Sequence, residues 1–368
     1  MSKSGITFPV RKHPEFIREL REKVQEQLAS NNLTRFGNRK MIVKSLFMLT
    51  LYLVPYLLMI TGAVTHPAAL VACWILMGTG IAGVGMAVMH DANHRAYSRN
   101  KKVNQWMGYS MFLLGGFPAN WQQQHNVMHH GYTNIEGYDE DIDPGGYLRL
   151  SPHKPLRKIH RFQHLYAWVL YGLMTLSWVT TKDFRQLNGY RETGVKLTSS
   201  LNYRQLLWVL VAAKIFYYGL FLVLPMIVLP VAWYIVVLLF LLMHFTSGLI
   251  LTTIFQTAHV VTSSDYPRPD ETGSMENNWA IHQLFTTSDF APKNRVLSWL
   301  IGGLNYQVEH HLFPNISHVH YRKLAPLVRE TAKKYNLPYH VQPTFFHALA
   351  DHGRMLRRLG REPAVRPT

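Results

Sequence analysis

The chain has 368 residues, with 38 Lys or Arg against 21 Asp or Glu, a formal excess of 17 positive charges. Its mean hydropathy is close to zero, as in a large soluble protein, but the charges are segregated along the chain. The single cysteine, Cys73, excludes disulfides, thiolate zinc sites, a fused rubredoxin and a cysteine-ligated iron–sulfur cluster.

The first segment, 1–40, is polar and is no secretory signal. It holds an amphipathic helix with Ile17, Leu20, Val24 and Leu28 on one face, expected to lie on a membrane or pack on a cytoplasmic domain. Between Lys44 and His90 there is no Asp, Glu, Lys or Arg, and the same holds between Lys214 and Asp265. A bilayer span needs about 20 apolar residues, so each run is long enough for two. Soluble core helices seldom lack charge on every face over such lengths. The pattern predicts spans over about 41–63 and 68–89, turning at Thr65-His66-Pro67, and over 210–228 and 231–254, turning at Leu229-Pro230.

The loop between these hairpins carries two moderately apolar stretches, 103–117 and 165–180, read as interfacial or cap helices. An acidic, glycine-rich loop over 137–146 separates them. A mixed segment follows from about residue 259, and the Pro- and Arg-rich end after Arg358 is expected to be disordered. The fold expected is an all-α integral membrane protein: four transmembrane helices in two hairpins, with a cytoplasmic helical cap. Its main domain covers 41–345, and 346–368 is a tail. Neither hairpin turn carries Lys or Arg, whereas the other extramembrane segments are rich in both. The positive-inside rule then places both termini and the central loop in the cytoplasm, with a bacterial inner membrane favoured over endoplasmic reticulum. The excess charge would face anionic headgroups or the phosphates of a carrier such as coenzyme A. No motif supports a nucleic-acid partner.

Placement of the 20 histidines is the strongest signal. His90 and His94 stand four apart at the end of the second span, so both imidazoles leave one helix face. His125, His129 and His130 repeat the spacing and add a neighbour; His310 and His311 follow Gln307-Val308-Glu309; and His259 lies just past the fourth span. Helix packing does not require histidines at span boundaries, and paired clusters there point to metal. Eight imidazoles are too many for one tetrahedral zinc, which takes four ligands, and they suit two metals of higher coordination. Imidazole binds iron, zinc, copper and nickel alike, so ligand type alone leaves the metal open.

The three boxes His90-x-x-x-His94, His125-x-x-x-His129-His130 and Gln307-x-x-His310-His311, arranged around two hydrophobic hairpins, resemble those of the membrane fatty acid desaturases. The resemblance covers about residues 40–340. It implies a mushroom-shaped fold whose cap binds two ferrous ions, with dioxygen as co-substrate. It also implies His259 as a further ligand; relatives of known structure carry an asparagine four residues earlier, where this chain has Phe255 followed by Gln256. A third box opening with glutamine is similar to that of front-end desaturases, which act between an existing double bond and the carboxyl end. Gln307 is thereby marked as a residue that tunes the metal site. Asp91, Asn93 and Glu309 are candidates to hold ligand imidazoles through their other nitrogen, and His282 and His318 are weaker candidates for the site. His244, mid-span, reads as a hydrogen-bonding residue between helices.

With no His-Pro-Gly-Gly haem motif, electrons would come from a separate ferredoxin or cytochrome b5 type donor, and the substrate would be an acyl-CoA or acyl-lipid. Two other readings stay open. One is a lipid or carotenoid hydroxylase or ketolase on the same scaffold, and the other is a non-catalytic, zinc-stabilised membrane receptor.

Overall fold

A computed structural model describes residues 5–9, 13–195, 197 and 199–364. The chain divides into two compact units. One comprises 38–123 and 168–253, the other 1–37, 124–167 and 254–368.

The first unit is built from the apolar runs. Four helices are long and apolar enough to cross a membrane: Arg39–Ile60, Pro67–Asn93, Tyr203–Val228 and Trp233–His259, the last reaching into the second unit. Their starts follow local chemistry. Asn38 caps the first by accepting from Lys40 N, Pro67 supplies a preset first turn to the second, and Asn202 with Gln205 forms a capping box on the third. The second, third and fourth helices run past the limits read from hydropathy at Asn93, Tyr203 and His259, because hydropathy marks only the lipid-compatible middle of a helix, whereas the first stops at Ile60, short of 63. At about 1.5 Å per residue, the 27-residue Trp233–His259 is about 40 Å long, against a hydrocarbon core of about 30 Å. His259 is accordingly the last residue of that helix and not a residue beyond it, which corrects the sequence reading.

Outward faces of these helices are apolar, with Ile42, Leu46, Leu57, Trp208, Ile215 and Ile227 exposed. Exposed apolar faces of this extent are what a lipid environment accommodates. Inside, several polar groups are paired, which offsets the cost of their burial. The Tyr52 hydroxyl donates to Leu113 O at 2.6 Å and that of Tyr56 to Leu220 O at 2.7 Å. His244 lies 2.9 Å from the Tyr217 hydroxyl and 3.2 Å from Thr175 Oγ1, in line with the interhelical role expected. The buried Lys214 ammonium uses all three donors, on Gly115 O, Trp178 O and Asp183 Oδ2, at 2.6 to 2.7 Å. The first two helices pack closely because Gly80 has no side chain: a Cβ there would lie 2.6 Å from Tyr52 N.

The stretch expected over 103–117 forms helix Lys101–Leu113, and that over 165–180 forms Gln163–Gly172 followed by further helical turns to Lys182.

The second unit gathers the N-terminal helix, the acidic loop and the C-terminal third. Helix Pro14–Ser30 buries Phe16, Leu20 and Val24 in a core shared with Val308, Tyr321, Leu324 and Val328, and Ile17 and Leu28 pack partly buried on its edge. The amphipathic face thus serves a protein core, with Phe16 deeper than Ile17. Its partner is helix Tyr321–Lys334, to which Glu19 is tied by Lys334 at 2.7 Å. The unit is not purely helical: Ser288–Phe290 and His340–Gln342 pair as a short parallel ladder, Asp289 opposite Val341. Residues Phe345–Leu359 form a helix with Ala348, His352, Met355 and Leu356 buried. Of the stretch after Arg358, residues 359–364 end that helix and turn, and 365–368 lie outside the described residues.

Candidate metal centre

Local backbone geometry places the second histidine box. Gln122–His129 is wound as a π-helix, and His130 N bonds to His125 O at 3.0 Å, five residues back. That wider turn stacks His125 and His130, not only the i, i+4 pair, on one side. Their rings are 4.8 Å apart and perpendicular, with the two Nε2 atoms separated by 3.2 Å. Two neighbouring donors at about 2.1 Å from one ion stand about 3 Å apart, so this pair has the spacing a shared metal requires. π-wound turns concentrate at functional sites, and another, Gly85–Met89, leads directly into His90.

The second unit brings six imidazoles together. Ligand atoms of His129, His259 and His311 all lie within 4.8 Å of one another, and all three residues are buried. His310 stacks at 5.9 Å on His125 and stands 4.5 Å from His130, and His311 stacks 4.3 Å from His130. In four of these rings the opposite nitrogen meets a fixed partner. His129 Nδ1 lies 3.1 and 3.2 Å from the two Asp139 oxygens, and His259 Nδ1 lies 3.3 Å from Thr286 O. His311 Nδ1 is 2.8 Å from Gln283 Oε1 and His310 Nδ1 is 3.1 Å from the Tyr321 hydroxyl. Carboxylate, carbonyl and amide oxygens only accept, which assigns the Nδ1–H tautomer to His129, His259 and His311. Their Nε2 lone pairs then face one another in a buried space. Such an arrangement repels itself unless a cation lies between, and the acceptor–imidazole–metal pattern is the one that orients ligand histidines. The donor set fits a metal centre.

Asp139 is central to this arrangement. It is buried and accepts from Asn134 N at 2.9 Å and Asp141 N at 3.0 Å as well as facing His129. Burial opposes a charge on His129, but the Asp139 carboxylate outweighs it and, with no cation at Nε2, raises the ring to about 9, the same attraction that favours a metal ion in place of that proton; His129 in turn holds Asp139 below the usual carboxylate range against the cost of burial. Asp141 contributes more loosely, 3.5 Å from His129 Nδ1, and accepts from Gln124 Nε2.

Gln307 is fully buried beside His259, close enough to act on that ring, though neither of its amide atoms forms a well-aligned hydrogen bond among the described residues. Phe255 stands edge-on to His125, 6.1 Å away, and Gln256 Nε2 donates to Asp141 O at 3.1 Å. Glu309 faces away toward another group: Tyr339 OH is 2.9 Å from Glu309 Oε1 and 2.7 Å from Asp289 Oδ2, while Asp289 accepts from Val308 N. Burial raises both acids, Asp289 to about 6, and the neighbouring Asp289 raises Glu309 further. His282 uses Nε2 on Thr133 O at 2.8 Å and packs against Phe8, which makes it a strut of the box loop; burial lowers its ring to about 4. His318 is buried next to Gly303, which adopts a positive φ.

In the first unit, His90 and His94 lie at the end of helix Pro67–Asn93, rings 4.8 Å apart, with Trp121 edge-on to both at 5.6 and 5.8 Å. Asp91 is buried within electrostatic reach of Lys44, and Asn93 accepts from Gln122 Nε2 at 2.8 Å. Sequence reasoning did not single out Asp139, Asn134, Thr133, Gln283 or Tyr321. The glycine-rich acidic loop was visible, but nothing in it distinguished Asp139 from its three acidic companions.

The family model described as fatty acid desaturase matches residues 65–343. The chain is 34% identical over 353 residues to an sn-1 linoleoyl-lipid 6-desaturase of Synechocystis sp., covering 94% of this chain and 96% of the relative. It is 33% identical over 369 residues to the enzyme of the same name from Arthrospira platensis, covering 99% and 97%. An acyl-lipid (8-3)-desaturase of Physcomitrium patens is 33% identical over 364 residues, covering 97% of this chain and 74% of the relative.

Proposed function

The chain belongs to the fatty acid desaturase family, and from that premise we propose that it inserts a cis double bond into a lipid-linked acyl chain on the carboxyl side of one already present. Relatives named for position 6 of a linoleoyl lipid support this, since that position lies between the carboxyl end and the first existing double bond. So does Gln307 at the head of the third box. The observation that carries the reading is the buried set of imidazoles whose Nδ1 atoms are tied to acceptors, leaving Nε2 atoms converging on a common space.

The metal set is His125, His129, His130, His259, His310 and His311 together with His90 and His94, holding two ferrous ions. When bound, the two irons supply dioxygen-reducing chemistry, and the overall change is CH2–CH2 plus O2, two electrons and two protons giving CH=CH plus two waters. Everything else falls to the protein. Asp139, Thr286, Gln283 and Tyr321 fix the ligand rings and strengthen them as donors. Trp121 and Phe255 flank imidazoles with apolar surface and keep water from them. Gln307, offering an amide where an imidazole could stand, leaves one position weakly held and so tunes the reaction. No residue need act as a general base. Electrons come from a separate ferredoxin or cytochrome b5 type protein. Both termini and the histidine boxes face the cytoplasm, the four apolar helices forming two hairpins beneath a helical cap.

Reporter fusions near residues 66 and 230 are expected to read extracytoplasmic, and a cytoplasmic signal from 230 would break the topology. The function is tested by feeding a saturated, a monoene and a diene chain to a host of defined lipid profile and locating double bonds by mass spectrometry. New bonds are expected on the carboxyl side of old ones. Desaturation of the saturated chain alone would sink the front-end assignment, and a product retaining oxygen would favour a hydroxylase.

A further inference from the structure

The turn that follows His259 is held from two directions. On one side Asn134 Nδ2 donates to His259 O at 3.0 Å and to Asp265 O at 3.1 Å. On the other side the grip comes from the C-terminal helix Phe345–Leu359. Both Asp351 oxygens are engaged there, Oδ2 by Thr262 N at 3.0 Å and Oδ1 by Thr262 Oγ1 at 2.7 Å. His352 Nδ1 is 2.7 Å from Val260 O, the carbonyl directly after the proposed ligand. Since a carbonyl only accepts, that ring donates from Nδ1. Asp351 and His352 are both buried, at 2% and 0% exposure, on the inward face of that helix, and both reach this one turn; Gln342 and Arg354 complete the Asp351 shell at 3.3 and 2.9 Å.

The helix itself is anchored at its far end. Arg149, whose side chain is buried without a carboxylate partner among the contacts seen, donates to the carbonyls of Leu359, Glu362, Pro152 and Lys154. Gln163 Nε2 donates to Leu356 O at 2.8 Å. Helix carbonyls left open at a C-terminus are thereby satisfied by a guanidinium and an amide from the central loop. A rigid path thus runs from Arg149, through one helix, to the residues flanking His259.

We propose that Asp351 and His352 are positioning residues for the metal centre: they fix the 260–262 turn and through it the orientation of the His259 imidazole. The proposal rests on His259 being a metal ligand. A ring that must reach its metal within a few tenths of an ångström depends on the backbone that carries it, and partners one step removed from a metal are typically worth about 10- to 100-fold in metal affinity.

The test uses the full-length enzyme in detergent, with iron per chain measured against rising chelator and amide exchange followed across 260–264. Asp351→Ala and His352→Leu are expected to lose iron at about tenfold lower chelator and to exchange faster in that turn. His352→Asn, whose amide NH2 lies near the lost ring donor, is expected to restore retention to near wild type. Thr262→Val removes one hydroxyl at an exposed position, and is expected to fold normally and show a smaller loss of the same kind. His259→Ala separates the two ideas. If it retains iron as the wild type does, His259 is no ligand and the underlying reading fails. If it loses iron while Asp351→Ala, His352→Leu and Thr262→Val all retain it, the positioning proposal alone is overturned.

Discussion

Replacing Asp139 by asparagine removes a charge from the centre of the second unit while keeping its shape. The carboxylate meets His129 Nδ1 at 3.1 and 3.2 Å, Asn134 N at 2.9 Å and Asp141 N at 3.0 Å, all donors. An asparagine keeps one oxygen, but its NH2 must face a donor. Loss of one hydrogen bond to a charged group costs about 1.5–3 kcal/mol. Seen from the metal, the weaker acceptor makes His129 a poorer ligand by about 10- to 100-fold, which is about 1.4–2.8 kcal/mol. The two routes agree, so Asp139→Asn is expected to shift chelator-resistant iron by one to two orders of magnitude, with product formation falling in parallel. Asp141→Asn is the internal comparison: it sits 3.5 Å from the same nitrogen with a third of its side chain exposed, and surface-screened pairs are worth about 1 kcal/mol or less. Wild-type iron retention in Asp139→Asn, or a larger loss in Asp141→Asn, would refute the assignment of Asp139 as the group that orients His129.

The remaining predictions concern stability. Lys214→Met strands the buried Asp183 charge and is expected to cost about 3–5 kcal/mol, part of which Asp183→Asn in the same chain restores; unfolding in detergent checks this, and a double variant no better than the single would contradict it. Gly80→Ala is expected to cost about 1–3 kcal/mol by pushing the first two apolar helices apart, and Gly80→Leu to prevent folding; a stable Gly80→Leu protein would show that the approach to Tyr52 is not tight. Burial lowers His352 to about 4 from an unfolded value near 6.5. The unfolded chain therefore binds the extra proton first as pH falls, so this stabilisation is present above about 6.5 and is lost progressively down to about 4. At about 1.4 kcal/mol per unit, that is on the order of 3 kcal/mol for a fully buried ring. Amide exchange across 345–359 at pH 7 and pH 5 checks the sign, and His352→Asn should flatten the dependence.

The apolar helices were legible because lipid imposes a composition: runs free of charge between Lys44 and His90, and between Lys214 and Asp265, admit few other readings. Their ends were not, since a helix continues on its backbone hydrogen bonds after the side chains turn polar, and His259 was placed outside a helix that it terminates. The clustered histidines were legible as types at spacings, and the groups that orient them were not. Asp139 reaches His129 across only ten residues, but along a loop with four acids that spacing cannot rank. Gln283 and Tyr321 reach His311 and His310 through tertiary packing and carry no local mark.

The second box shows why spacing and geometry can part. An i, i+4 reading pairs His125 with His129 on an α-helical face and treats His130 as a neighbour. In the π-wound turn a residue advances about five positions before it returns to the same side, so His130 stacks above His125, with their Nε2 atoms 3.2 Å apart. His129 is thereby released toward Asp139, His259 and His311. The three histidines of one segment thus reach overlapping partners: His125 and His130 meet His310 at 5.9 and 4.5 Å, His130 also stacks on His311 at 4.3 Å, and His129 meets His259 and His311 at 4.7 and 4.9 Å. The pattern His-x-x-x-His-His thus does more than place an i, i+4 pair: with a π turn beneath it, all three imidazoles of one backbone segment enter the same buried cluster.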